Sequence, residues 1–196
     1  ETDSNTIGGA SSGDVNIIGC NAKAGIRLEG NFNLVHSNFV GVTSGGQDIG
    51  NGANGIFVGS NSNEIDGNKI GNNSGSGILL EDASGNYVAN NYVGRNANED
   101  LAPNQNEGVK IRATSNNAST GNRVRTNVIA NNQGDGVRIE GDGAVRNPVR
   151  GNRIFNNDGQ GLDLGGDGET ANDPGDGDDG PNRLQNYPVL QDLEYG

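Results

Sequence analysis

Hydrophobic residues along this chain come in short bursts at every second position, and glycine or asparagine closes each burst. Asn33-Leu34-Val35 is followed by Asn38-Phe39-Val40. The same pair returns as Asn63-Glu64-Ile65 with Asn68-Lys69-Ile70, Asn86-Tyr87-Val88 with Asn91-Tyr92-Val93, Asn122-Arg123-Val124 with Asn127-Val128-Ile129, and Asn147-Pro148-Val149 with Asn152-Arg153-Ile154. A third burst follows each pair: Gly55-Ile56-Phe57-Val58, Gly77-Ile78-Leu79-Leu80, Gly108-Val109-Lys110-Ile111, Gly136-Val137-Arg138-Ile139 and Gly161-Leu162-Asp163-Leu164. A looser first copy has Asn5-Thr6-Ile7, Asn16-Ile17-Ile18 and Gly25-Ile26-Arg27-Leu28. Side chains change face at every residue of a strand, so period-two bursts predict short strands. A helix is excluded because turn residues interrupt every burst.

Three short strands per repeat predict a triangular coil, an all-β, right-handed parallel β-helix of six rungs. Residues 1–165 form the rungs, and residues 166–196 an acidic loop plus a C-terminal cap within the same domain. Rungs stack about 4.8 Å apart. Asn38, Asn68, Asn91, Asn127 and Asn152 should therefore form one ladder, and Asn33 to Asn147 another. Each ladder asparagine is expected to supply a positive-φ corner and to bond to neighbouring rungs through its amide. The loops before the third strand hold 6, 14, 6, 14, 6 and 6 residues. The long ones, Gly41–Asn54 and Gly94–Glu107, leave the same corner two rungs apart, and loops inserted on one face of a solenoid often carry binding.

Composition narrows this picture. A length of 196 residues suits one domain. With 30% hydrophobic and 4% aromatic residues, a thin repetitive core is expected. Low hydrophobicity and a charge of −12 are also the marks of disorder, but disorder does not space aliphatic residues regularly. The acidic balance repels nucleic-acid phosphates and anionic membranes. No apolar run approaches the roughly 20 residues of a membrane span. Cys20 is the single cysteine, so no intrachain disulfide forms, and it reads as a small buried side chain. The chain opens at Glu1 without Met or a signal sequence and reads as a processed or excised piece.

On its Asn-x-aliphatic pairs and Gly-aliphatic-x-aliphatic strands, the chain resembles the NosD-like, carbohydrate-binding and sugar-hydrolase type of β-helix repeat. It also resembles the repeat modules of large bacterial surface proteins, which close with segments such as Gly161-Leu162-Asp163-Leu164-Gly165 running into Asn182-Arg183-Leu184. The resemblance implies the pectate-lyase-like superfamily of folds and an extracellular or cell-surface location. It encodes turns and core and says little about chemistry.

Candidate chemistry lies in four places. The outward positions of the third strands hold Arg27, Glu29, Glu81, Lys110, Arg112, Arg138, Glu140 and Asp163. A polysaccharide lyase or epimerase would place its base and its charge-neutralising cation on such a face. A solvated ladder of alternating charges is the plainer reading, because no three acids are expected on consecutive rungs. His36, the lone histidine, falls in a turn whose other members vary freely, and it has no second His or Cys with which to hold zinc. Asp167, Asp173, Asp176, Asp178 and Asp179, on glycine-rich backbone, suit Ca²⁺, although the spacing departs from an EF-hand loop. Finally, Arg123, Arg125, Arg138, Arg146, Arg150 and Arg153 place six of the 13 basic residues on the last two rungs. The acidic loop is expected to dock there, or the band to hold an anionic glycan.

The closing segment from Leu184 to Leu193 is expected to cover the last rung. The N-terminal edge has no such cover and is expected to pair with another chain or continue a longer one. These features favour a non-catalytic structural or adhesive module. The alternatives are a carbohydrate-binding module, using Phe39, Tyr87 and Tyr92 as stacking faces, and an enzyme acting on uronate-type polysaccharide.

Overall fold

The computed structural model describes residues 3–11, 13–96, 98–114, 117–168, 171–175, 177 and 179–185. Among these residues eighteen strands fall into six rungs of three. The first rung is β1 (Thr6–Gly8), β2 (Ile17–Ile18) and β3 (Ile26–Leu28), and the second β4 (Leu34–His36), β5 (Phe39–Val40) and β6 (Ile56–Val58). The third is β7 (Glu64–Asp66), β8 (Lys69–Ile70) and β9 (Ile78–Glu81), and the fourth β10 (Tyr87–Ala89), β11 (Tyr92–Val93) and β12 (Val109–Arg112). The fifth is β13 (Arg123–Arg125), β14 (Val128–Ala130) and β15 (Val137–Glu140), and the last β16 (Val149–Arg150), β17 (Arg153–Phe155) and β18 (Leu162–Leu164). Like strands of successive rungs pair in parallel, giving three six-stranded sheets. The parallel β-helix expected from the sequence is the fold observed.

Register follows from which residue of each burst must point inward. Val35 pairs with Ile65 on the first sheet, Val40 with Ile70 on the second, and Ile56 with Ile78 and Val58 with Leu80 on the third. These columns meet along the axis in an aliphatic core whose middle-rung members have no solvent exposure. Each such side chain contributes about 1.5–3 kcal/mol by leaving water. A one-residue slip would turn every one of them outward, so the pairing is strongly specified.

The corners hold three asparagine ladders rather than two. The predicted ladders are present, that of Asn38 to Asn152 starting at Asn16 and that of Asn33 to Asn147 at Asn5. A third, Asn21–Asn51–Asn73–Asn104–Asn132–Asn157, runs between the second and third sheets. The bonding repeats: the backbone N–H and Nδ2 of Asn91 both donate to Asn127 Oδ1, at 2.9 and 3.0 Å, and Nδ2 also donates to the Ile65 carbonyl at 2.8 Å. The expected role in the turn needs correction. Positive φ belongs to the residue before the ladder asparagine, as at Ser37, Asn90 and Thr126, or Phe32, Ser62 and Arg146. The asparagine itself is left free to project inward and bond. Cys20 is one of these corner residues, with φ 57°. It is exposed, not buried as its size suggested.

The acidic loop returns to the coil through a short 3₁₀ turn, Pro181–Leu184. Asn147 N–H donates to Asn182 Oδ1 and Asn182 Nδ2 donates to the Asn147 carbonyl, each at 2.8 Å. Asn182 is thus a seventh member of the ladder that runs from Asn5 to Asn147. The rest of the expected cap, residues 186–196, lies outside the described residues.

Candidate functional site

The third sheet collects most of the paired charges. Strand register sets Lys110 beside Arg138 and Arg138 beside Asp163, with Glu81, Arg112 and Glu140 in the next outward column. A further column, one residue before each strand's leading glycine, adds Ser76, Glu107 and Asp135. Arg138 lies at the centre: Nη1 is 3.0 Å from Glu107, Nη2 2.7 Å from Asp135 and Nε 3.7 Å from Asp163. Lys110 bridges Glu107 at 3.4 Å and Glu140 at 3.1 Å, and Arg112 holds Glu81 at 2.7 Å.

Three carboxylates on consecutive rungs therefore do converge. The expectation that none would is corrected, because Glu107 and Asp135 precede the strands and so fall outside the in-out count. The available signal was an acid directly before Gly108 and again before Gly136. Their environments differ. Burial pushes the Glu107 carboxyl up, but the Ser76 hydroxyl at 2.7 Å, its own backbone and the charges of Lys110 and Arg138 outweigh this and hold it below its ordinary value. Burial, reinforced by Asp135, pushes Asp163 up, and the Gly166 N–H and Arg138 offset this only in part. Burial works against the Arg138 charge, but the Asp135 hydrogen bond and the surrounding carboxylates bind its proton more tightly.

Carboxyls with pKa values driven apart are the raw material of acid–base catalysis. Glu107 is 5% exposed and Asp163 2%, beside the Arg138 guanidinium and the turn at Gly165–Gly166. The arrangement acts as a clamp across the fourth to sixth rungs. Arg27, at the other end of the sheet, pairs with Glu29 and lies 4.2 Å from the Phe57 ring centroid.

A family model described as the right-handed β-helix region matches residues 5–172. The chain belongs to that family. The A-module of a mannuronan C-5 epimerase from Azotobacter vinelandii is similar in structure, with a TM-score of 0.47 and 15% identity over 81% of this chain. The aligned region spans 58% of that module's length. No curated protein sequence matches the chain.

Elsewhere on this β-helix, the remaining candidates separate. His36 is half-buried rather than free in a solvated turn, its Nε2 3.0 Å from Asp66 Oδ2 on the next rung. Phe39, Tyr87 and Tyr92 point outward but are half-buried in their sheets. The Tyr92 ring is covered by Lys69 at 4.0 Å. The two long loops meet each other, since Asn96 Nδ2 donates to the Gly46 carbonyl at 3.3 Å. Of the proposed calcium ligands, Asp176 and Asp178 lie outside the described residues. Among the described residues no three His, Cys, Asp or Glu side chains form a group able to hold a metal. No helix among the described residues is long and apolar enough to cross a membrane.

The arginine band divides. Arg138 joins the third-sheet clamp, and Arg153 lies 5.8 Å from the Phe155 ring centroid. Arg123, Arg125 and Arg150 stand exposed on the first sheet, with Arg125 and Arg150 directly opposite in register. Arg146, Arg150 and Arg183 line a cleft of about 480 Å³ together with Pro148, Asn182 and Gln185.

Proposed function

We propose that the chain is a non-catalytic structural or adhesive module of an extracellular or cell-surface assembly. The observation that supports this reading is the third-sheet clamp: its acids and bases are paired with one another, and the two carboxyls with displaced pKa values are covered. Ion pairs satisfied within a face fix strand order and leave little charge with which to turn over a sugar. The three ladders and the aliphatic axis supply the stiffness such a module needs. In this reading Ca²⁺ at the Asp167–Asp179 loop stiffens the end of the coil.

The test is direct. The chain is incubated with alginate and with pectate, with and without Ca²⁺. Ultraviolet absorbance follows unsaturated ends, and proton NMR follows the epimer ratio. Both are expected to stay at the level of buffer. Turnover that disappears in Arg138→Ala, with the fold retained by circular dichroism, would overturn the proposal. A rise in melting temperature on adding Ca²⁺ that Asp176→Asn with Asp178→Asn removes is the result expected for the loop.

A further inference from the structure

We propose that the corner leading into the first sheet binds a neutral glycan, with the Phe32 ring as its stacking platform. The inference rests on the adhesive reading above and names what the module adheres to, but it uses no residue of the third-sheet clamp.

Phe32 is the one exposed aromatic side chain among the described residues, 65% open to solvent. It also stands at φ 59°, in the left-handed region where a bulky side chain is strained. The fold does not require a ring there. Ser4, Ser62, Gly85 and Gly121 make the same corner in the first, third, fourth and fifth rungs, with φ between 59° and 68°. The Phe32 N–H donates to the Asn61 carbonyl of the next rung at 3.3 Å, and Ser4, Ser62 and Gly85 make the equivalent bond in their own rungs. A single exposed apolar residue is ordinary. One that is also strained, where serine or glycine does the same work, points to a role outside the fold.

The surroundings of the ring define the ligand. Past Phe32 the corner is paved by Ser62, Gly85 and Gly121. A Cβ added at Gly85 would be 3.6 Å from Ser62 Oγ, and one at Gly121 would meet nothing within 4 Å, so the shelf beyond the ring is open. Beside the shelf runs a row of amides and hydroxyls at the surface: the Asn61 N–H donates to Asn31 Oδ1 at 2.9 Å, and the Ser84 N–H to Asn61 Oδ1 at 2.7 Å. The buried ladders consume their Nδ2 groups within the coil. Asn61 Nδ2 and Ser62 Oγ, both exposed, have no hydrogen-bond partner among the described residues. Neither row carries a charged residue between Asn31 and Gly121. An aromatic face for the C–H side of a sugar ring, with uncharged donors and acceptors for its hydroxyls, suits a neutral glycan.

Acidic ligands fit less well. The exposed Glu64 borders the shelf two residues beyond Ser62, and the chain carries a charge of −12, so a uronate would be repelled. A single nucleic-acid strand could stack on the ring but needs cations along its backbone. In the bordering column Leu34, Glu64, Tyr87 and Arg123, the one cation is three rungs from Phe32.

A glycan array tests this on the full chain, with oligosaccharides of glucose, galactose, mannose and N-acetylglucosamine, and with oligomannuronate and oligogalacturonate as acidic counterparts. Isothermal titration calorimetry then measures the affinities. At least one neutral oligosaccharide is expected to bind, and the acidic ones at least tenfold more weakly. Asn61→Ala with Ser62→Ala should weaken binding at least threefold. Phe32→Asn should weaken it at least tenfold, yet unfold at a urea concentration no lower than wild type, because asparagine tolerates the left-handed region and little packing leaves with the ring. The inference is overturned if no neutral oligosaccharide binds, if the acidic ones bind as tightly, or if Phe32→Asn binds within twofold of wild type. It is equally overturned if Phe32→Asn unfolds at lower urea, since the ring would then serve the fold. A glycan that bound here and was also cleaved or epimerised would leave the site standing and sink the non-catalytic reading instead.

Discussion

At the scale of single residues, the corners divide one task between two neighbours. One residue takes the left-handed conformation and the next, an asparagine, takes the bonds. Glycine serves the first role at no steric cost, as at Gly67, Gly85 and Gly121, but several corners use residues that are strained there. Thr126 is the clearest case, a β-branched side chain at φ 56°. Thr126→Gly is expected to raise stability by up to about 1 kcal/mol, because the αL strain removed slightly exceeds the extra backbone entropy lost. Urea denaturation of the two proteins measures it. A substitution in the opposite sense fails: Gly94 has φ 86°, and a Cβ there would collide with the Ala130 carbonyl oxygen of the next rung.

At the scale of elements, the third sheet shows why buried charges are tolerated. Glu107, Asp135 and Asp163 share Arg138, and removing one partner leaves the others uncompensated. Glu107→Gln keeps an acceptor for Ser76 but loses the charge, and it is expected to cost about 2 kcal/mol at neutral pH. The pH dependence has a definite sign. The Glu107 pKa is lowered from 4.5 in the folded chain, so its contribution is present above 4.5 and lost as pH falls through the lower folded value. The gap between wild type and Glu107→Gln should therefore narrow on acidification. Asp163, raised from 3.8, acts the other way: its contribution is present below 3.8 and lost as pH rises through the folded value. Asp163→Asn should gain on wild type between acid and neutral pH. Chemical denaturation of the three proteins across that range checks both signs.

The fold was legible because solenoid sequences repeat their core, and Val35, Ile65, Val88 and Val124 announce one column wherever the register is counted. The third ladder was less so, because the long loops displace Asn51 and Asn104 from the five-residue spacing that Asn68 to Asn73 or Asn127 to Asn132 still shows. The clamp was half visible. Its strand residues obey the in-out rule, whereas Glu107 and Asp135 are in turns, where no periodicity predicts direction. The division of the arginines was not visible, since it depends on which of three faces each corner presents.

At the scale of the whole molecule, each rung touches only its neighbours, so stability is a sum of rung and interface contributions. Asn91 lies in the fourth rung, with partners in the third and the fifth. Asn91→Leu removes bonds at both interfaces and leaves buried donors and acceptors without partners, at a cost of about 3 kcal/mol. Hydrogen exchange should show protection falling in the third to fifth rungs first. Uniform loss of protection along the chain would show instead that the coil unfolds as one unit.

All three ladders run in one sense. From Asn16 to Asn152 and from Asn21 to Asn157, each asparagine gives its N–H groups to the side-chain oxygen of the next rung toward the C-terminus. The amide dipoles therefore add along the axis, as peptide dipoles do along a helix, and the two ends of the coil are chemically unlike. A rung placed ahead of β1 must bring N–H donors, and one placed after β18 must bring oxygens. Coils of this kind can extend one another only head to tail, and two identical ends would meet donor to donor or acceptor to acceptor.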